Sequence, residues 1–359
     1  MDRVPATPAP TRRNFGNFIV LKHLLTILCC LFLGYSVSAQ RNEWKAAEEF
    51  LRQENSTIQD ARDLRNFGAA IKAHFPDTMN RLRAAYLWVT SAIRYDCEGL
   101  KNKNSRWALN MVLKSRKAVC AGYVNVFRNL CDAAGIECVD VNGYGRSGLE
   151  SLLVKTESFA PNHTWNAVKV GGEWKLIDVT WASGYTSEDC SEFTFRRNDA
   201  YFCADPVRFG WDHFPKDSDW QLLATPIGWE EFHRFPLLYH GMVENNIEDF
   251  YPRSVIIGKK RGDTVVFKFR SSSPVNRIIL SSRQEKDLYV MDTPERVADG
   301  YRYVYRIAKE GAYDLQVDLL FVEAPRTMGA YEIKTFTDIV YWINTNANNL
   351  PAKPQKSVF

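Results

Sequence analysis

The sequence predicts an α+β protein, helices packed on an antiparallel sheet, followed by a β-sandwich of immunoglobulin-like type. Three observations predict it. Apolar residues recur at helical spacing from Trp44 to Ile93 and again from about Cys120 to Ala134; the period changes to alternation from Cys138; and from Ser254 onward short β-rich runs follow one another, separated by turn residues. With 359 residues, 45% of them apolar and 25% charged, the chain has material for about two domains.

The N-terminus reads as an export signal over residues 1–39. A basic stretch ends at Lys22, an apolar run follows from Leu24 to Val37, and Val37-Ser38-Ala39 before Gln40 supplies the small residues of a cleavage site. The run is 14 residues, short of the roughly 20 that spanning a membrane requires. The expectation is therefore a mature chain starting near Gln40, secreted or periplasmic, with no membrane span left after cleavage. Leu28 stands where a lipidation signal before Cys29 wants a small residue, which argues against a lipid anchor. Removing Arg3, Arg12, Arg13, Lys22 and Asp2 with the signal lowers the net charge from +4 to +1. A near-neutral body gives no electrostatic case for nucleic-acid binding.

In residues 40–185, Asp77-Thr78 can cap a helix that places Leu82, Ala85, Tyr86, Val89 and Ile93 on one face. A polar, basic loop from Glu98 to Arg106 leads to a second apolar segment. A further helix then starts at about Cys120, lines up Val124, Phe127, Cys131 and Ala134, and stops at Gly135, a residue suited to the left-handed conformation after a helix end. Cys138–Val141, His163–Val170 and Glu173–Thr180 read as strands, the last two joined through Gly171-Gly172 as a hairpin. Residues 186–250 form an aromatic connector or lid. The sandwich is expected over 251–345, in seven runs (Val255–Ile257, Thr264–Phe269, Arg277–Leu280, Leu288–Met291, Tyr301–Ile307, Tyr313–Phe321 and Ile333–Ile343), and a disordered tail over 346–359. Arg261-Gly262-Asp263 lies between two of these runs and reads as a tight turn rather than an adhesion signal.

Six cysteines follow residue 39. An exported chain can form disulfides, and Cys190 with Cys203 is the first candidate pair. None shows zinc-site spacing, so no metal and no cofactor is expected.

The chemistry concentrates in Val119-Cys120-Ala121-Gly122-Tyr123, Asn162-His163-Thr164-Trp165-Asn166 and Trp174–Trp181, the last containing Asp178. A cysteine attacks acyl carbon as thiolate, and an unperturbed thiol with pKa about 8.5 is mostly protonated at neutral pH. A helix N-terminus, Arg116 and Lys117 upstream, and a histidine partner would each favour the thiolate. A two-residue turn at Gly171-Gly172 pairs Val170 with Glu173, and continued pairing would set Trp165 opposite Asp178 and His163 opposite Thr180, all on one face. His163 and Asp178 would then be diagonal neighbours, roughly 7–8 Å apart at Cα. Trp165 and Trp181 are read as core filling.

The order Cys, His, Asp, with C-x-G-Y opening a helix, H-x-W-N opening a strand and D-x-T-W closing the hairpin, resembles the transglutaminase-like superfamily from about Tyr86 to Trp181, with Ile93-Arg94-Tyr95-Asp96 upstream. Asp212-His213-Phe214-Pro215 and Trp220-Gln221-Leu222-Leu223 resemble its kyphoscoliosis-peptidase and cytokinesis-protein branch, of bacterial exported type. The resemblance implies a papain-like α+β core in which Cys120 is the nucleophile, His163 the general base and acid, and Asp178 the orienting carboxylate, with the Cys120 N–H contributing to an oxyanion hole. Val119 stands where many relatives carry glycine, a departure that bears on the shape of the loop.

Two functions follow. One is an exported cysteine-dependent acyl enzyme acting on a peptide or protein amide, hydrolysis being favoured over cross-linking. The other is a catalytically inactive binding or scaffold protein built on the same fold.

Overall fold

The structure, a computed structural model, describes residues 44–54, 57–102, 107–146, 160–187, 189–238, 242, 247–271, 274–322 and 333–345. The expected export signal (1–39) and tail (346–359) lie outside the described residues. The chain divides into two compact units, residues 1–55 and 56–359. In the first, residues 44–53 form helix α1.

The second unit opens with α2 (Ala61–His74), whose N-cap Asp60 accepts the N–H groups of Arg62 and Asp63, and α3 (Thr78–Ala92), capped by Asp77. Leu82, Ala85, Tyr86, Val89 and Ile93 are buried, the face that the periodicity predicts. Strand β1 (Arg94–Tyr95) runs parallel to β2 (Lys117–Ala118). Between them lie α4 (Cys97–Lys101) and α5 (Leu109–Ser115). The expected loop from Glu98 thus begins as helix, because Asp96 caps the Gly99 N–H. Helix α6 (Cys120–Ala134) ends at Gly135 with φ 74°, and its face of Val124, Phe127, Cys131 and Ala134 is buried.

The sheet against α6 comprises β3 (Cys138–Gly145), β4 (His163–Val170) and β5 (Glu173–Ile177). Gly171 and Gly172 turn with φ 61° and 87°, values that favour glycine, and Val170 pairs with Glu173 as the two-residue turn requires. After a short helix α7 (Val179–Ser183) come the ribbon β6 (Gly184–Thr186) and β7 (Phe193–Phe195), one turn of helix α8 (Pro206–Phe209), and β8 (His213–Pro215). β8 joins β3 at the far edge, giving the order β5-β4-β3-β8. The segment after Asp178 therefore supplies a strand of the sheet itself.

A disulfide joins Cys97 to Cys190, Cα atoms 5.3 Å apart, and Cys203 is free. This corrects the expected Cys190–Cys203 pair. Strand β7 folds back on β6 and lies beside β1, so the ribbon's tip reaches α4, whereas the chain at Cys203 continues to a bridge between Ala204 and Leu176 at the sheet edge.

Helix α9 (Trp229–Arg234) precedes the sandwich strands: β9 (Leu237–Leu238), β10 (Ile247–Tyr251), β11 (Ile256–Gly258), β12 (Thr264–Ser271), β13 (Val275–Ser281), β14 (Tyr289–Asp292), β15 (Glu295–Val297), β16 (Gly300–Arg306), β17 (Ala312–Val322) and β18 (Ile333–Asn344). They form two sheets, β10-β12-β16-β15 and β11-β18-β17-β13-β14, with β9 paired to β18. Each of the seven expected runs forms a strand. In β12, Val265, Phe267 and Phe269 point inward while Thr264, Lys268 and Arg270 are exposed, the alternation of a half-buried strand. Trp211 and Phe235, from ahead of β9, belong to the same core. Arg261-Gly262 forms a turn with Gly262 at φ 89°, closed by the Asp263 N–H on the Lys260 carbonyl. Among the described residues, no helix is long and apolar enough to cross a membrane.

Candidate active site

Cys120 is the first residue of α6. The helix starts there because Val119 is extended, with φ −87° and ψ 177°, and its carbonyl takes the N–H groups of Gly122 and Tyr123 at 2.9 and 3.2 Å. That φ suits any residue, so the departure from glycine puts no strain on the loop. The Tyr123 hydroxyl donates to the Ile93 carbonyl at 2.6 Å, and the Asp96 N–H to the Ala118 carbonyl at 2.9 Å, tying the start of α6 to β1. The thiol is half-buried and beside the His163 imidazole.

His163 opens β4 opposite Gly143 of β3. Its place is fixed by Asn162, whose Nδ2 donates to the Gly145 carbonyl at 3.1 Å and whose Oδ1 accepts the Gly145 N–H at 2.8 Å, so that a side chain extends the strand pairing. Gly143 permits the approach: a Cβ there would lie 2.3 Å from the Trp165 ring and 2.4 Å from the Phe214 carbonyl. Gly143→Ala is expected to cost about 1–3 kcal/mol through overpacking, read as a lowered urea midpoint. An unchanged midpoint would show that β4 and β8 can separate without loss.

Asp178 reaches His163 by a different route from the expected one. The β4–β5 ladder stops at Asn166 opposite Ile177, so the pairings of Trp165 with Asp178 and of His163 with Thr180 are not made, and Thr180 is helical. The reason is local. Asp178 caps α7, its Oδ1 accepting the N–H groups of Thr180 and Trp181 at 2.8 and 3.0 Å, and aspartate competes well for that position. Its Oδ2 is left to face His163 Nε2 at 2.6 Å. The imidazole is stacked on Trp181, with ring centroids 5.1 Å apart. Trp165 is fully buried, in keeping with its expected role in the core.

The electrostatics follow from these contacts. Burial opposes ionisation of Asp178, but the charge and hydrogen bond of His163, and then those of His213, hold its carboxyl well below the usual carboxylate range. Burial likewise pushes the His163 imidazole down, yet the charge and hydrogen bond of Asp178, with Cys120 on the other side, raise it to about 10. Burial raises the Cys120 thiol, and the hydrogen bond and charge of His163, with the Ala121 N–H, outweigh it, so the thiol ends below its ordinary value. Burial leaves Cys203 at about 11 and Cys131 well above a normal thiol.

Sequence reasoning gave His213 no role, though its motif was singled out. His213 Nε2 lies 3.0 Å from Asp178 Oδ2, and its Nδ1 lies 2.5 Å from Asp212 Oδ1, whose partner oxygen accepts the Tyr201 hydroxyl at 2.9 Å. The ligand-type atoms of His163, Asp178 and His213 lie within 4.8 Å of one another, and they are engaged with each other as a hydrogen-bonded set. Only the Asp-His pair in Asp212-His213 hinted at this; the 35 residues separating Asp178 from His213 hid it.

The structure thus places a cysteine at the head of a core helix, packed on an antiparallel sheet that presents a histidine and a buried carboxylate, as the sequence resemblance implied. Residues 65–179 match the family model described as Transglutaminase-like superfamily, and the chain carries a transglutaminase-like domain. It is similar to proteins named kyphoscoliosis peptidase from Mus musculus, 31% identical over 58% of this chain and 32% of that protein, and from Homo sapiens, 31% identical over the same shares. It is also similar to hillarin of Drosophila melanogaster, 27% identical over 45% of this chain and 21% of that protein. The match with the two kyphoscoliosis peptidases thus spans about a third of their length.

Proposed function

We propose that this chain is an exported cysteine-dependent acyl enzyme acting on peptide or protein amides, with Cys120 as nucleophile, His163 as base and acid, and Asp178 as orienting carboxylate. One observation carries the reading: a single imidazole is bonded through Nε2 to a buried carboxylate at 2.6 Å while also pairing with a half-buried thiol at a helix N-terminus. The thiolate attacks the amide carbon. The C–N bond breaks as the His163 imidazolium protonates the departing amine, leaving a thioester on Cys120. His163 then takes a proton from water as the oxygen adds, and the thioester resolves to a carboxylic acid and free thiol. An amine in place of water would give a new amide by the same steps. The relatives named as peptidases support hydrolysis, and the Cys97–Cys190 disulfide supports export to an oxidising compartment.

The test is the rate of iodoacetamide labelling against pH, with the labelled cysteine located by mass spectrometry. Cys120 is expected to label first, with a midpoint below the free-cysteine value of about 8.5, and His163→Ala is expected to move that midpoint upward. An ordinary midpoint in both forms would favour the alternative, a transglutaminase-like binding or scaffold protein with an idle triad.

A further inference from the structure

The carboxylate of Asp178 answers to two histidines, and only one of them faces the thiol. His213, the first residue of β8, pairs with Gly145 of β3, and its side chain has no exposed surface. Its Nε2 lies 3.0 Å from Asp178 Oδ2, the same oxygen that meets His163 Nε2 at 2.6 Å. Its Nδ1 lies 2.5 Å from Asp212 Oδ1. A neutral imidazole has one donor and one acceptor nitrogen, and an ionised carboxylate can only accept. With a carboxylate oxygen at each nitrogen, the ring satisfies both by carrying both protons.

The surroundings fix that ring and its charge. Phe209 stacks on it with centroids 3.9 Å apart, Trp181 packs at 4.4 Å, and Trp165 meets it edge-on at 5.0 Å. The groups that can carry charge around it are Asp178 and Asp212 on its two nitrogens, His163 at 5.5 Å between ring centroids, and the Tyr201 hydroxyl on Asp212. Farther out are the buried Arg146 on the Asp212 side and Cys120 beyond His163. Two anions against one neighbouring imidazolium favour a cationic ring. Burial works against that charge, but Asp212 and then Asp178 outweigh it, so His213 holds its proton above the ordinary range for histidine.

We infer that His213 is a positioning residue, a second imidazolium that acts through Asp178, holding its carboxylate toward His163 and sharing its negative charge so that His163 remains acidic enough to protonate a leaving amine. The inference rests on the reading of Cys120 and His163 as a thiolate–imidazolium pair. Without the His213 cation, Asp178 would act on His163 alone and bind its proton more tightly, while the thiolate would lose a nearby positive charge. Both limbs of the Cys120 reactivity profile would then move to higher pH.

Two measurements on the full chain test this. Ring-nitrogen NMR of the histidine-labelled wild-type protein should show both nitrogens of His213 protonated at pH 7 to 8; a neutral tautomer there would overturn the inference without any variant being made. In iodoacetamide profiles, His213→Gln keeps a donor toward Asp178 but no charge, and it should raise the acid-side midpoint of Cys120 labelling by about one unit. Asp212→Asn, which leaves the Asp178 contact in place but removes the anion favouring the charged ring, should move it the same way by less. Variants that lose thermal stability while their profiles superpose on the wild type would reduce His213 to packing. An ordinary wild-type midpoint is a separate failure, since it removes the ion pair itself.

Discussion

On the proposed acyl chemistry, Asp178→Asn is expected to lower amide cleavage by about four orders of magnitude while the chain stays folded, the loss that follows when a triad histidine is left in the wrong tautomer. The change is isosteric, and the amide oxygen can still accept the Thr180 and Trp181 N–H groups that Oδ1 takes at 2.8 and 3.0 Å. With the oxygen so placed, the amide nitrogen faces both His163 Nε2 and His213 Nε2 and donates where Oδ2 accepted. His163 must then carry its proton on Nδ1, toward the thiol, where it cannot take another. Flipping the amide would restore His163 but set an NH2 against the buried Thr180 N–H and the partly buried Trp181 N–H, leaving them unsatisfied at roughly 1–3 kcal/mol. Release of a fluorescent amine from a peptide amide measures the rate, and the labelling midpoint of Cys120 should return toward about 8.5. A midpoint unchanged from wild type would show that Asp178 does not govern the tautomer.

The largest stability effect is expected at Arg146. Its guanidinium is buried and surrounded by carbonyls: Nη1 donates to Phe232, His233 and Phe235 at 3.2, 3.4 and 2.8 Å, and Nη2 to Trp211 and Pro236 at 3.3 and 2.9 Å. Burial draws it down to about 10, so it remains charged at neutral pH. Its backbone N–H donates to the Asp212 carbonyl at 2.9 Å, next to His213. One side chain therefore gathers the end of β3, the start of β8 and the end of α9. Arg146→Met keeps the length and removes every donor, leaving several of these buried carbonyls without a donor, each at about 1–3 kcal/mol, and should cost about 3–5 kcal/mol in urea unfolding. A loss below about 1 kcal/mol would mean that these carbonyls find other donors once the arginine is gone.

Local elements were legible because their causes are local. Asp77 before Thr78 and Gly135 after Ala134 mark helix ends through caps that involve only a few neighbouring residues. Gly171-Gly172 sets the hairpin register through backbone angles that glycine tolerates. The three β4 residues His163-Thr164-Trp165 were expected to pair onward with β5, and here a second local preference won: Asp178 left the ladder to cap a helix, and in doing so presented its other oxygen to His163.

By itself, then, the sequence determined the fold class, the sandwich strands and the types and order of Cys120, His163 and Asp178, since hydrophobic period, turn residues and motif spacing are properties of neighbouring residues. Only the tertiary structure decided that Cys97 bonds Cys190, that β8 completes the sheet, that Arg146 collects five carbonyls and that His213 shares Asp178 with His163. Those contacts join segments tens of residues apart, and the polar ones form because burying β8 and the chain around it takes these groups out of solvent, so that each must find its partners within the protein, a constraint that no stretch of sequence carries alone.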